Sequence, residues 1–265
     1  MLGPLHQLTA AVYLLASLVA GVGMAAPSSR LGRVAVGLMI FGVVIHGVTF
    51  SVMHTADPPP PLTDLPAAVS FMAWIGTIFF LALLRRAHLV HLVGLVAPVA
   101  FLGVFFSGLR LTAAGPATFG GSGSWPHAHV LLGSAGISLL GLAALAGLLF
   151  LTEHRRLKAK RPLSFRFGLP SLEALDRVNV AALAVGFPLL TLGVITGVLW
   201  VETVSGQLWT ATAHETWCSI AWAVYVVLVA VRFGSAGQGG RRAAVFAVGG
   251  FAFLFFAVIG VGLIA

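Results

Sequence analysis

Charge is scarce in this chain: 7 acidic and 15 basic side chains among 265 residues, 8% charged against 59% hydrophobic. The acids are scattered, and no two are spaced to share general acid and base work. Cysteine is scarcer still. The single Cys218 excludes an internal disulfide and any CxxC thiol relay within the chain. A hydrolytic triad pattern, a Walker loop, a dinucleotide fingerprint and a zinc-binding HExxH are also missing. With a mean hydropathy of +1.04, the chain has too little polar surface to be a soluble domain, because that much apolar side chain cannot be hidden from water.

What is present instead is a series of long apolar runs. A bilayer core takes about 20 apolar residues per helix, and eight such runs can be marked: Leu5 to Ala25, Val34 to Met53, Ala67 to Leu84, Leu89 to Ser107, Val130 to Leu151, Val178 to Val201, Trp217 to Phe233 and Ala243 to Ala265. The expected fold is all-α, a polytopic membrane helical bundle of eight transmembrane helices forming a single integral-membrane domain over residues 1–265. A signal peptide reading of the first run is disfavoured, because Met1 to Gly3 carries no Lys or Arg.

Orientation follows from the basic residues, which stay cytoplasmic in short loops. Arg30 and Arg33 follow span one, Arg85 and Arg86 span three, seven Lys and Arg from Arg155 to Arg177 span five, and Arg232, Arg241 and Arg242 join the last two spans, leaving only Arg110 opposite. Both termini are therefore expected outside. The net charge of +8 is accounted for by this bias and by attraction to anionic membrane lipid, with no nucleic acid required.

The connections differ in character. HTADPPPPLTDLP is stiffened by proline. TAAGPATFGGSGSWPHAH is rich in Gly and Ser until Trp125 and Pro126, where a helix can start. Within LPSLEALDRVN, Ser171 is expected to cap a short helix with Glu173 in its first turn and Leu169, Leu172 and Leu175 in one stripe suited to the membrane interface.

All six tryptophans, Trp74, Trp125, Trp200, Trp209, Trp217 and Trp222, fall in or near the outer half of the bilayer in this topology. A lopsided interfacial belt would do this, and so would a site on the outside. His6, His54, His127, His129 and His214 also lie at outer ends, His88, His91 and His154 lie at the inner face, and His46 alone is deep within a span. An imidazole at that depth needs a ligand or a partner such as a backbone carbonyl. His127 and His129 point roughly 200° apart on a helix, so only one can face the bundle. In span seven, His214, Trp217, Cys218, Ala221, Trp222 and Tyr225 share a broad face. Flat rings beside imidazoles suit a planar ligand with a central metal, and ordinary helix packing would use the same stripe.

From about Leu62 to Phe253 the chain resembles the haem-handling cytochrome c assembly family, the group of the CcsA, ResC, CcmC and HemX-like proteins. The stretches that carry the resemblance are LPSLEALDRVN, GFPLLTLGVITGVLW, SGQLWTATAHETWCSIAWAVY and SWPHAHVLLG. The family's tryptophan-rich outer loop reads close to WGxYWxWDPKETW. Gly206, Trp209, Glu215, Thr216 and Trp217 match it, while Ala211 stands for a tryptophan, Thr212 for the aspartate, Ala213 for the proline and His214 for the lysine.

The resemblance implies a non-covalent b-type haem held at the outer face of a bacterial inner, or cytoplasmic, membrane. It implies His129 and the membrane-embedded His46 as iron ligands, with Trp125, Trp200, Trp209, His214, Glu215 and Trp217 around the cofactor. The terminal VGVGLIA carries no histidine where the family has its second external ligand. His54, His127 or His214 is then left as the sixth ligand, or the iron is five-coordinate. Thioether formation needs the cytochrome's thiols and reduction from a separate partner, so no covalent chemistry is expected of this chain itself. The implied partners are a CcsB-type or thioredoxin-like assembly protein. Two other readings stay open: a HemX-like haem-sensing regulator acting on a cytoplasmic tetrapyrrole-synthesis enzyme, and a transporter of another hydrophobic or anionic molecule.

Overall fold

The computed structural model describes residues 2–25, 28–55, 64–87, 90–111, 124–160, 170–234 and 240–260. Among them are eight α-helices: α1 (Leu2–Ala25), α2 (Ser29–His54), α3 (Leu65–Ala87), α4 (Val93–Leu111), α5 (Ser124–Lys158), α6 (Leu172–Ser205), α7 (Ala213–Gly234) and α8 (Gly240–Phe255). A 3-10 turn, Val90–Leu92, leads into α4, and a π-helical turn, Phe256–Gly260, continues α8. Seven of these helices are long and apolar enough to cross a membrane; α4 is apolar over Val93–Leu109 and shorter. Helices are the expected solution in lipid, since each closes its own backbone hydrogen bonds. The proline loop over 56–63, the Gly and Ser stretch over 112–123, the basic segment over 161–169, His88 and the final residues 261–265 lie outside the described residues.

One expected boundary is overturned. Ser171 does not start a short separate helix at the interface: α6 runs unbroken for 34 residues. The cap itself is as expected, with Ser171 Oγ accepting from Ala174 N at 3.2 Å. The helix continues because Leu175, Val178, Asn179 and Ala182 are all buried; of the stripe expected at the interface, Leu175 is core, Leu172 is half-buried and Leu169 lies outside the described residues.

The helices cluster into two compact units, α1–α4 and α5–α8. In the first unit the exterior is apolar as well as the core, and several polar side chains are confined to the interior. Leu18, Val44 and Val99 are exposed, while His6, Thr9, His46, Thr49, Ser70 and Thr77 are buried. Lipid solvates the apolar exterior, and the polar side chains are left to bond one another. Tyr13 crosses α2 at Gly42, where a Cβ would lie 2.6 Å from the ring, and Trp74 donates from Nε1 to Val43 O at 2.9 Å.

In the second unit α5 and α6 run antiparallel and approach backbone to backbone at glycines. A Cβ on Gly136 would lie 2.5 Å from Leu190 N, and one on Gly193 would lie 2.8 Å from Gly133 N. Small residues allow this backbone approach, which is the main source of packing energy between helices in lipid. Asn179 Nδ2 adds a donor to Ala143 O at 2.8 Å, and α8 closes on α5 at Gly147 and Ala244. α7 buries only Ala221 and Tyr225.

Candidate functional site

The glycine seam ends at a histidine. Ser124, Trp125 and Pro126 form the first turn of α5, as the sequence suggested. One turn on, His127 is exposed and His129 is turned against α6. Its Nδ1 lies 2.8 Å from Gly193 O. A carbonyl only accepts, so Nδ1 carries the hydrogen and Nε2 keeps its lone pair. The ring fits because position 197 is glycine: a Cβ there would lie 2.7 Å from His129 Nδ1 and 2.9 Å from Cε1. Trp200 flanks the ring, with centroids 6.0 Å apart and planes at 42°. The Trp200 Nε1 is buried without a hydrogen-bond partner among the described residues. Gly193 and Gly197 escaped the sequence reading, although GVITG is a GxxxG pattern, a known signature of close helix approach.

The tryptophan loop leads from the end of α6 to the start of α7, which puts it at the same end of the unit as His129. Gly206 ends α6 in the left-handed conformation, φ 71°. α7 opens with a capping box, T-x-x-E, formed by Thr212 and Glu215. Glu215 N donates to Thr212 Oγ1 at 3.3 Å, and the Glu215 carboxylate accepts from Thr210 N at 2.9 Å and Thr210 Oγ1 at 2.5 Å. The carboxylate is thus committed to the shape of the loop. Trp209, 45% exposed, and His214 stand at the surface of this segment.

The shared face of α7 divides between the two readings left open for it. Ala221 and Tyr225 are buried in helix packing. Trp222 Nε1 donates to Thr191 Oγ1 at 3.1 Å. The Trp217 ring meets Phe253 and Phe256 edge-on at 6.0 and 5.9 Å. His214 sits beside Cys218, with Nε2 3.6 Å from Sγ. Packing therefore uses Trp217, Ala221, Trp222 and Tyr225, and Trp125, His129, Trp200, Trp209 and His214 remain together at one end of the unit.

His46 belongs to the other unit and is fully buried. It bonds to side-chain hydroxyls, not to a backbone carbonyl: Nε2 lies 2.9 Å from Ser70 Oγ and Nδ1 3.4 Å from Tyr13 Oη. Phe50 stacks on it at 5.1 Å, and Trp74 lies 6.3 Å away. No local pattern marks Ser70 or Tyr13 as its partners, because the contacts span 24 and 33 residues. Among the described residues, no cluster of three or more His, Cys, Asp or Glu could hold a bare metal ion.

Comparison with known proteins gives this geometry a context. A family model described as "Cytochrome C assembly protein" matches residues 62–265. The chain is 25% identical over 229 residues to a cytochrome c biogenesis protein CcsA of Mesostigma viride, covering 77% of this chain and 74% of that one. It is 28% identical to the CcsA of Guillardia theta, covering 71% and 69% of the two chains. For the CcsA of Prochlorococcus marinus strain MIT 9303 the identity is 29%, with 77% and 73% covered. With a polytopic helical architecture and a family match over more than half its length, the chain belongs to the cytochrome c assembly protein family.

Proposed function

We propose that the chain is a haem-handling assembly factor for c-type cytochromes. It holds a non-covalent b-type haem at the outer face of a bacterial cytoplasmic membrane, with His129 as an axial ligand. The observation that carries this is the His129 ring: seated in a notch left by Gly197, oriented by Gly193 O, and holding the Nε2 lone pair available. An imidazole nitrogen whose partner N–H is fixed on a backbone carbonyl is a standard arrangement for an iron ligand. The indoles of Trp125, Trp200 and Trp209 supply flat apolar surface at the same end, and His214 a second imidazole. Trp217 supports the segment through α8, and Glu215 holds the loop rather than meeting the cofactor.

Iron porphyrin brings its own ligation and redox chemistry; the chain binds, orients and shields it. His46 is assigned as a membrane-embedded haem ligand on the family resemblance, and that role requires its Nε2 to exchange Ser70 for iron. The proposed topology is eight crossings in one integral-membrane domain over 1–265, with both termini outside because the basic residues fall in the connections after spans one, three, five and seven. The partners proposed are a CcsB-type or thioredoxin-like assembly protein. The relatives described above are all named for cytochrome c biogenesis, and none favours the HemX-like regulator.

The test is a visible spectrum of the full chain purified in detergent, with a pyridine haemochrome assay. A Soret band with a b-type haemochrome is expected, reduced or shifted in His129→Ala. A wild-type chain that neither carries haem nor takes it up when added would overturn the reading.

A further inference from the structure

The second unit contains a small, largely apolar cavity away from the His129 end. It lies between α6, α7 and α8, is lined by Asn179, Leu183, Tyr225, Leu228 and Ala247 among others, and leaves about 20 Å³ for the centre of a water molecule. One water needs roughly 10–15 Å³ on this measure, together with two or more polar partners. Two polar side chains in the lining, Asn179 and Tyr225, are the candidates. Tyr225 is 1% exposed and Asn179 3% exposed. The Tyr225 hydroxyl and Asn179 Oδ1 are both buried with no hydrogen-bond partner among the described residues.

Each of these groups is costly to leave unpaired in a protein interior, and lipid offers no donor to relieve it. Asn179 is fixed from behind by its bond to Ala143 O, so its amide cannot turn away. At the cavity edge Arg232 makes a two-oxygen contact with Asp176, at 2.8 and 2.9 Å. The guanidinium is therefore engaged and does not fill the space.

We infer that this cavity is a water site, and that one ordered water joins the Tyr225 hydroxyl on α7 to Asn179 Oδ1 on α6. The water donates to Oδ1 and accepts from or donates to the phenol, so both orphaned atoms are satisfied by one molecule. Two polar ties, the water bridge and the Asp176–Arg232 ion pair, then fasten the half of α7 remote from the tryptophan loop. A helix with only two buried residues gains there what its thin apolar contact does not give. The space is far too small for a porphyrin, so the inference stands or falls independently of haem binding.

An experimental map of the full chain in lipid nanodiscs, at a resolution that shows ordered water, decides it. A single peak within about 2.6–3.2 Å of both Tyr225 Oη and Asn179 Oδ1 is expected, and it should vanish in Tyr225→Phe. An empty cavity, density continuous with an acyl chain, or a direct Tyr225 to Asn179 bond overturns the inference. As an independent reading, p-cyanophenylalanine at position 225 should show the nitrile stretch displaced to the hydrogen-bonded frequency. A nitrile band at the value found in apolar solvent counts against the water whatever the map shows.

Discussion

The His129 imidazole occupies the place a side chain would take at Gly197, with Nδ1 2.7 Å from where that Cβ would be. Gly197→Ala must therefore push the ring away from Gly193 O. Inserting a methyl group into a filled contact costs about 1–3 kcal/mol, against at most about 1 kcal/mol gained by replacing a helical glycine with alanine. The variant is expected to unfold at lower temperature and to retain less haem after purification. A thermal unfolding curve and a haem-to-protein ratio equal to wild type would reject the notch as the device that seats His129.

Ser70 and Tyr13 hold His46 unequally. The Ser70 contact is 2.9 Å and the Tyr13 contact 3.4 Å, and hydrogen bonds weaken quickly beyond the shorter range. Ser70→Ala should cost about 1–3 kcal/mol by stranding a buried ring nitrogen, and Tyr13→Phe clearly less. Denaturation in mixed micelles ranks the two. If Tyr13→Phe proves the more damaging, the assignment of the principal partner is reversed.

Glu215 matches the family's loop motif, yet its carboxylate is spent on Thr210. Glu215→Ala should loosen the start of α7 by about 0.5–2 kcal/mol, the usual size of a capping loss. Hydrogen exchange would then rise over residues 210–216, while Glu215→Gln, which can still accept a bond, keeps part of the protection. If both variants leave exchange unchanged but abolish the Soret band, the carboxylate meets the cofactor directly.

The Asp176–Arg232 pair gives a prediction of sign. Arg232 is 13% exposed and Asp176 33% exposed in their side chains. Removing one partner leaves the other charge in poor solvent, whereas removing both does not. The double variant Asp176→Ala with Arg232→Ala should be more stable than either single one. Additive losses in the double-mutant cycle would mean the pair is uncoupled.

The helices were legible because lipid demands long apolar segments and composition shows them. The start of α6 was not, because LEALDRVN loses hydropathy while Leu175, Val178 and Asn179 remain buried; packing against α5 carried the helix where solvent preference suggested a break. Helical geometry already required His127 and His129 to diverge. Which of them faced inward depended on Gly193 and Gly197, and the GxxxG spacing that would have said so is visible in the chain. The partners of His46 depended on contacts between helices far apart in sequence, for which a single sequence holds no signal.

Where α5 and α6 touch backbone to backbone, neither helix has slack to slide. The acceptor that aims the His129 ring is a carbonyl of that same seam, and a shift of one residue, about 1.5 Å along the axis, would exceed what a 2.8 Å bond tolerates. The orientation of the ring thus records the register of two long helices and stays fixed for as long as that register holds.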